Sequence, residues 1–389
     1  MSTLVHYFLL FVSSISLLLS QAHSEYSRLS SDLPCEITKN ICQISSMVQA
    51  FDFISVIDSN LTIIIQDSIF TCRETTDEAC YFFLSVASLK LQNTTLYFPD
   101  IHLESPSISL TASFIQTNGT QIGGRGSPMD LKNGVAYAAQ GAHCHNFPSD
   151  LSYGFFNEIY NSSQILNTFG SGYLHDPGRS RGGGRITLIS NRDLIIVNTT
   201  LNASGYGNCP NKEITVNGGT GGYIWIERTV LKAGKEQIEQ SIIDVSGGQG
   251  CHAKDHGELG LGGSGGRVIL FLEKEDSFTV NLQGGINNDS ADKCTKGGAG
   301  TVYNLKDNTL GIKNSGINTG TPTMLASNVS VTVLKVSDSA MVSFKQSEQI
   351  LLSTASIMLT QGIILYQNPY SSVAINSVDL HLTNSRYII

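Results

Sequence analysis

Four times between residues 182 and 303, a cluster of glycines runs straight into a short alternating apolar segment. No other feature narrows the possible folds as much. Gly182-Gly183-Gly184 leads into Arg185-Ile186-Thr187-Leu188-Ile189, and Gly218-Gly219-Thr220-Gly221-Gly222 into Tyr223-Ile224-Trp225-Ile226-Glu227. Gly262-Gly263-Ser264-Gly265-Gly266 leads into Arg267-Val268-Ile269-Leu270-Phe271-Leu272, and Gly297-Gly298-Ala299-Gly300 into Thr301-Val302-Tyr303-Asn304-Leu305. These segments start 38, 44 and 34 residues apart, and a second strand-like run lies in each interval, at 194–204, 242–246 and 278–283. A period of this size marks a repeat architecture.

Runs of four to seven β-branched and aliphatic residues fit strands, and no stretch shows helical spacing over a useful length. Two-residue hairpin turns favour Asn-Gly or Asp-Gly pairs, whereas the turns here are longer, irregular glycine stretches. Glycine at such corners supplies positive φ without steric cost. Stacked coils pair each strand with one a full turn away, so only the end turns need capping. The fold expected is all-β, a right-handed parallel β-helix with Gly-rich turns. Residues 60–70, 88–98 and 107–117 carry the same beat with fewer glycines, as do 329–344, 350–365 and 373–382.

The chain opens with an apolar run from Tyr7 to Leu19 followed by Ala22-His23-Ser24, which reads as a signal peptide over 1–24. The alternative is an uncleaved anchor, although the run is shorter than the ~20 residues a spanning helix needs. Residues 25–85 are expected to form a disulfide-containing cap and first rungs, and 86–128 further rungs. Residues 129–177, with weak periodicity, read as a looped insertion, and 178–389 as the Gly-rich repeats. The sequence stops at Arg386-Tyr387-Ile388-Ile389, directly after a strand-like run, which is expected of one part of a longer chain.

Eight cysteines, an even number in a secretory context, read as disulfides. Cys35–Cys42 and Cys72–Cys80 are close enough for local pairs; Cys144, Cys209, Cys251 and Cys294 are left with open connectivity. N-x-[ST] sequons at Asn60, Asn93, Asn118, Asn161, Asn198, Asn202, Asn288 and Asn328 are candidate glycosylation sites. Only 14% of residues are charged and the net charge is −8. Nucleic acid and acidic lipid select basic surfaces, so neither is an expected partner.

The order of motifs resembles a family of large plant extracellular glycine-rich proteins. Those chains begin with a signal peptide and a Leu-Pro-Cys-Glu element, here Leu33-Pro34-Cys35-Glu36, followed by further cysteines, here Cys42, Cys72 and Cys80. A Gly-Gly-Arg-Gly element then precedes a cysteine-bearing loop, here Gly123–Gly126 and Cys144. The glycine-led strands match in order at Gly183-Gly184-Arg185, Gly218–Gly222, Gly265-Gly266-Arg267 and Gly298-Ala299-Gly300-Thr301-Val302-Tyr303. The similarity spans roughly residues 33–310. It implies a pectin-lyase-like solenoid in long chains with a membrane anchor near the far end, and it transfers no catalytic residue. Residues 1–389 include no such anchor segment and no second cysteine beside Cys144, and membrane attachment is expected only through an anchor in a longer parent chain.

Aligning the units by their glycines stacks Thr187, Trp225, Ile269 and Tyr303, with Arg185, Tyr223, Arg267 and Thr301 beside them. Alternation turns both columns away from the core. Aromatic faces stack on sugar rings, and Arg forks onto carboxylates of acidic polysaccharides. Tyr223, Trp225, Tyr303, Arg185 and Arg267 are therefore the carbohydrate-contact candidates. The competing role is structural: aromatics packed beneath the 129–177 insertion, and guanidiniums satisfying carbonyls of the glycine loops.

His143-Cys144-His145, and Cys251-His252 with Asp255 and His256, lack the Cys-x₂-Cys pairing of a structural zinc site. No metal and no cofactor is expected. Catalysis on polysaccharide needs paired carboxylates or a base with a metal-binding acid cluster. Glu227 and Glu273, ending aligned strands, and Asp244, Asp255 and Glu258, within one unit, are the groups such an activity would use. They also match what solvated strand ends carry, so no catalytic residue is assigned. The leading expectation is an extracellular structural or adhesive protein contacting glycans or cell-wall-type polysaccharide. The alternatives are a polysaccharide lyase or glycoside hydrolase on the same fold, and the ectodomain of a membrane-anchored receptor.

Overall fold

The structure is a computed structural model that describes residues 33–35, 37–73, 80–119, 180–207, 217–229, 234–250, 261–273, 277–286, 296–316, 321–325, 328–344, 349–365, 372–376 and 379–388. The expected signal peptide and the 129–177 insertion lie outside them. The described part is all-β, built from mostly parallel sheets.

Up to residue 304 most of the described strands fall into three parallel ladders; Ile37–Thr38, and Ser180–Arg181 with Tyr206–Gly207, pair antiparallel. One runs from Ile54 in Ile54–Gln66 through Tyr81–Gln92, Asp100–Glu104, Arg185–Ser190, Tyr223–Arg228 and Arg267–Phe271 to Thr301–Asn304. The second uses the far halves of the two long strands, then Ser107–Thr111, Asp193–Val197 and Glu236–Glu239. The third is a seven-stranded sheet from Val48–Phe51 to Phe278–Asn281. Each ladder turns alternate residues into one shared core. Ile54, Phe82, Ile101, Ile186, Ile224 and Val268 stack along the first ladder; Leu89, Ile108 and Leu194 belong to the second, and Phe70, Leu96, Ile115, Leu201 and Ile243 to the third. All are buried, each worth about 1.5–3 kcal/mol of transfer free energy.

The corners differ from the sequence expectation in an instructive way. Among the described glycines only Gly119 and Gly316 have positive φ, so the glycine clusters do not serve as left-handed corners. They permit backbone to lie on backbone. A Cβ at Gly222 would overlap the Gly184 carbonyl oxygen, one at Gly266 that of Gly222, and one at Gly300 that of Gly266. The same glycines donate inward: Gly222 N to Ala203 O, Gly266 N to Val245 O and Gly300 N to Leu282 O, at 2.6–2.7 Å.

The left-handed corner is elsewhere, between the second and third ladders, and is built from other residues. Ser46, Asp67, Asn93, Ala112, Asn198 and Gln240 occupy it with φ of 48–55°. After five of them comes a buried hydroxyl: Ser68, Thr94, Ser113, Thr199 and Ser241. Each donates to the carbonyl two residues back, as Thr199 Oγ1 does to Val197 O at 3.0 Å. Most also accept an amide from the neighbouring strand: Thr94 N reaches Ser113 Oγ, Ser113 N reaches Thr199 Oγ1, and Thr199 N reaches Ser241 Oγ, at 3.2–3.4 Å. This internal hydroxyl column satisfies corner backbone groups that the ladders leave over.

Residues 178–389, read as one repeat block, hold two cores. Thr301–Asn304 pairs antiparallel with Thr309–Lys313, which then starts a new parallel ladder through Asn328–Ser337 and Gln349–Thr360. Directly opposed residues in an antiparallel pair share a face. Val302, which packs on the first core, opposes Gly311; Tyr303, which packs on the second, opposes Leu310. The second core therefore lies on the opposite side of the sheet from the first.

Two disulfides, Cys35–Cys42 and Cys72–Cys80, close local loops at the N-terminal end, as their spacing predicts. Cys144, Cys209, Cys251 and Cys294 lie outside the described residues. Both disulfides fit an oxidising, extracytoplasmic compartment.

Three substitutions test which contacts set the corners. Gly222→Ala forces a Cβ into backbone and is expected to cost at least about 3 kcal/mol. Gly316→Ala meets open space and costs only the left-handed φ, about 1–2 kcal/mol. Thr199→Val keeps the shape but strands the Ser113 amide, at about 1–3 kcal/mol. Denaturant midpoints of the three variants check the order.

Candidate functional site

The outer face of the first ladder carries the residues singled out in the sequence. The register places Arg185, Tyr223, Arg267 and Thr301 in one column and Thr187, Trp225, Ile269 and Tyr303 in the next. Both columns extend toward the N-terminal end, where the sequence carries no glycine clusters to align. Tyr81 and Asp100 precede Arg185, and Ser55, Phe83 and His102 precede Thr187. A third column carries Ser85, Glu104, Ile189, Glu227 and Phe271.

Most of the face is already in use. Arg185 forks onto Asp100, Nε to Oδ1 and Nη2 to Oδ2. Tyr223 and Arg267 are 1% and 2% exposed. Tyr303 packs against the second core, which starts on this same face, and its hydroxyl donates to Asn308 Oδ1 at 2.7 Å. Burial raises its phenol pKa. Of the five carbohydrate-contact candidates, Tyr223 and Arg267 are buried, and Arg185 and Tyr303 are partly exposed and engaged by protein partners. Alternation told outward from inward, but whether an outward residue stays uncovered depends on parts of the chain far away in sequence.

Trp225 is the exception. It is half-buried, meets Tyr223 edge-on with ring centroids 6.5 Å apart, and its buried Nε1 has no hydrogen-bond partner among the described residues. Nearer the N-terminal end, Phe83 and His102 stack at 4.7 Å, and Phe53 and Tyr81 at 5.4 Å. Those rings spend faces on each other. Beside Phe83 and His102 a cleft of about 140 Å³ is lined by Ser59, Ser85, Glu104, Ser105, Ile189 and Asn191, among others. Glu104 Oε2 lies 3.5 Å from Ser85 Oγ and 3.7 Å from His102 Nε2.

The acids weighed for catalysis do not converge. Glu227 opposes Phe271, two residues short of Glu273, so the two glutamates are out of register. Glu227 Oε1 accepts from Thr229 at 2.7 Å, Glu273 pairs with Lys306 at 3.3 Å, and Asp244 Oδ1 accepts both the amide and hydroxyl of Ser246. Arg228 and Glu236 form a further ion pair at 3.3 Å, with side chains 3% and 10% exposed. Asp255 and Glu258, and the clusters around His143 and His252, lie outside the described residues.

Of the sequons, Asn60, Asn93 and Asn198 are exposed. Asn93 and Asn198 sit on the left-handed corner, and Asn93 Nδ2 donates to Asp67 Oδ1 at 2.7 Å. Asn118 and Asn202 are half-buried, Asn202 accepting the Ser204 amide. Asn328 starts a strand. Asn161 and Asn288 are outside the described residues. No family model, curated protein or solved structure matches the chain.

The ion pairs are expected to rank by burial. Arg228→Met leaves the largely buried Glu236 carboxylate without its counter-charge, held among the described residues only by the Glu273 amide, and costs about 3 kcal/mol. Arg73→Met, from a pair in which both side chains are over 60% exposed, costs about 0–1 kcal/mol. Urea unfolding of the two variants side by side separates them.

Proposed function

We propose that this chain is an extracellular structural or adhesive protein, wound as a right-handed parallel β-helix of the pectin-lyase-like kind, that contacts glycans along the outer face of its first ladder. The resemblance to plant extracellular glycine-rich proteins supports the same setting. The observation that carries the scaffold reading is where the polar groups go. Arg185 and Arg228 pair with carboxylates of other strands, Glu227 and Asp244 are held by neighbouring hydroxyls, and the buried hydroxyls satisfy corner backbone. A surface organised for chemistry keeps acids or bases converging on one point.

The glycan component rests on Trp225 and the Glu104 cleft. The partly exposed indole ring of Trp225 can stack on the apolar face of a sugar. The cleft offers hydroxyls, an amide and one carboxylate, the groups that hydrogen-bond sugar hydroxyls. Arg185 and Arg267, the groups suited to uronate carboxylates, are not on offer, and Glu104 repels them. The expected ligand is therefore a neutral polysaccharide and not a polyuronate. Exposed Asn93 and Asn198 would place N-glycans on a corner away from this face.

Electrophoresis of the secreted chain through native gels cast with single polysaccharides tests the reading. Retardation without clearing is expected in a neutral polysaccharide, with Trp225→Ala and Glu104→Gln each restoring mobility. A cleared zone would establish an enzyme in its place. Retardation only in polygalacturonate would reverse the charge argument. Unchanged migration in every gel would remove the glycan component.

A further inference from the structure

Between the second and third ladders, the left-handed corner and the first outward position of the third sheet change together, rung by rung. Three rungs combine a corner residue with a large apolar side chain: Asp67 with Ile69, Ala112 with Phe114, and Gln240 with Ile242. The two rungs between them carry Asn93 with Thr95 and Asn198 with Thr200, and each threonine completes the Asn-x-Thr sequon of its own corner. The register stacks the outward positions in the order Ile69, Thr95, Phe114, Thr200, Ile242. The three apolar members are 38–49% exposed. Corner amides bond from rung to rung, Asn93 N to Thr111 O at 2.9 Å and Asn198 N to Glu239 O at 3.0 Å, so both asparagines are fixed beside this column.

We propose, on the extracellular reading given above, that Asn93 and Asn198 carry N-linked glycans whose first sugars lie on the third sheet and cover Ile69, Phe114 and Ile242. Both asparagines are exposed. Each has an apolar side chain on the rung to either side of its own: Ile69 and Phe114 for Asn93, Phe114 and Ile242 for Asn198. Two rungs separate them, about 10 Å at the spacing of neighbouring strands, so two sugar chains can lie side by side with Phe114 between. A pyranose ring presents C–H groups on its face and hydroxyls at its rim. Laid on Phe114, it buries apolar surface while its hydroxyls stay in water. Ala112, the corner between the two asparagines, has the smallest side chain of the corner column and keeps the approach clear. The bond from Asn93 Nδ2 to Asp67 Oδ1 is compatible with the modification, which replaces one of the two Nδ2 hydrogens and leaves the other. The opposite flank of the corner offers a sugar less apolar surface: Gln66 and Gln92 stand there, bonded to each other at 3.2 Å, with Thr111 next in register.

Glycopeptide mass spectrometry on the chain secreted from a eukaryotic host reads occupancy, which is expected at both Asn93 and Asn198. Enzymatic release of the glycans from the folded chain then reads their packing. Phe114→Ser changes a half-exposed position, so the circular dichroism spectrum should not change, while release from both asparagines should become several-fold faster. The Asn93→Gln/Asn198→Gln chain should bind several-fold more of a fluorescent apolar-surface dye than the wild type, and adding Phe114→Ser should remove most of that gain. Both asparagines unmodified in the secreted chain, or release indifferent to Phe114→Ser, would overturn the proposal and leave the polysaccharide reading to its own test at Trp225 and Glu104. A dye signal no higher in the glutamine pair, which is what some other cover on this column predicts, would overturn it too. A chain that does not enter the secretory route would overturn both.

Discussion

Backbone lies on backbone, with no room for a Cβ between, at the glycine column formed by Gly184, Gly222, Gly266 and Gly300. Side chains normally hold backbones apart; here their absence lets one chain segment lie on the next. That contact explains a feature of the repeats that a length argument cannot. Intervals of 38, 44 and 34 residues give the same register, Arg185 to Tyr223 to Arg267 to Thr301. The extra residues leave between strands, and the chain returns to a point fixed by backbone contact and by the inward amides of Gly222, Gly266 and Gly300. The ladder is thus tolerant of loop length and intolerant of a methyl group.

A second constraint follows from stacking. Every turn that buries its corner must pair the amides and carbonyls there, since an unmade buried hydrogen bond costs more than a made one gains. At one corner glycine amides do this, and at another the hydroxyls of Ser68, Thr94, Ser113, Thr199 and Ser241. Charged groups follow the same rule, Arg185 closing on Asp100 on the outer face and Arg228 on Glu236 on the inward side of their strands. What remains for a ligand is small: one partly exposed indole ring and one polar cleft.

Much of this was legible in the sequence. The glycine beat set the strand class and the register of Thr187, Trp225, Ile269 and Tyr303, and cysteine spacing set two disulfides. The hydroxyl column was not legible, because each of its members is an ordinary Ser or Thr in a strand-to-strand turn, and only their stacking gives them meaning. Nor was the role of glycine: a residue that allows positive φ and one that allows contact are the same letter, and the corner that needs positive φ here uses Asn93, Asn198 and Asp67. Phe83 and His102 were missed because no glycine cluster precedes their strands. The burial of Tyr223 and Arg267 was missed because alternation reports a face and not its cover.

The reversal after Asn304 shows how strongly the local rules bind. A hairpin through residues 305–308 sends the next ladder in the opposite direction, and the core moves to the opposite side of the sheet in the same step. On the proposed coil these two reversals are coupled. The sense in which a chain turns about its core depends on strand direction and on which side the core lies, for a given direction of growth. Reversing one alone would change the hand of the coil; reversing both keeps it. The twist of L-amino-acid strands favours one hand for parallel crossovers, so a hairpin inserted into such a stack carries its core across the sheet. Tyr303 and Leu310, opposed across that hairpin on one face, mark where the exchange is made.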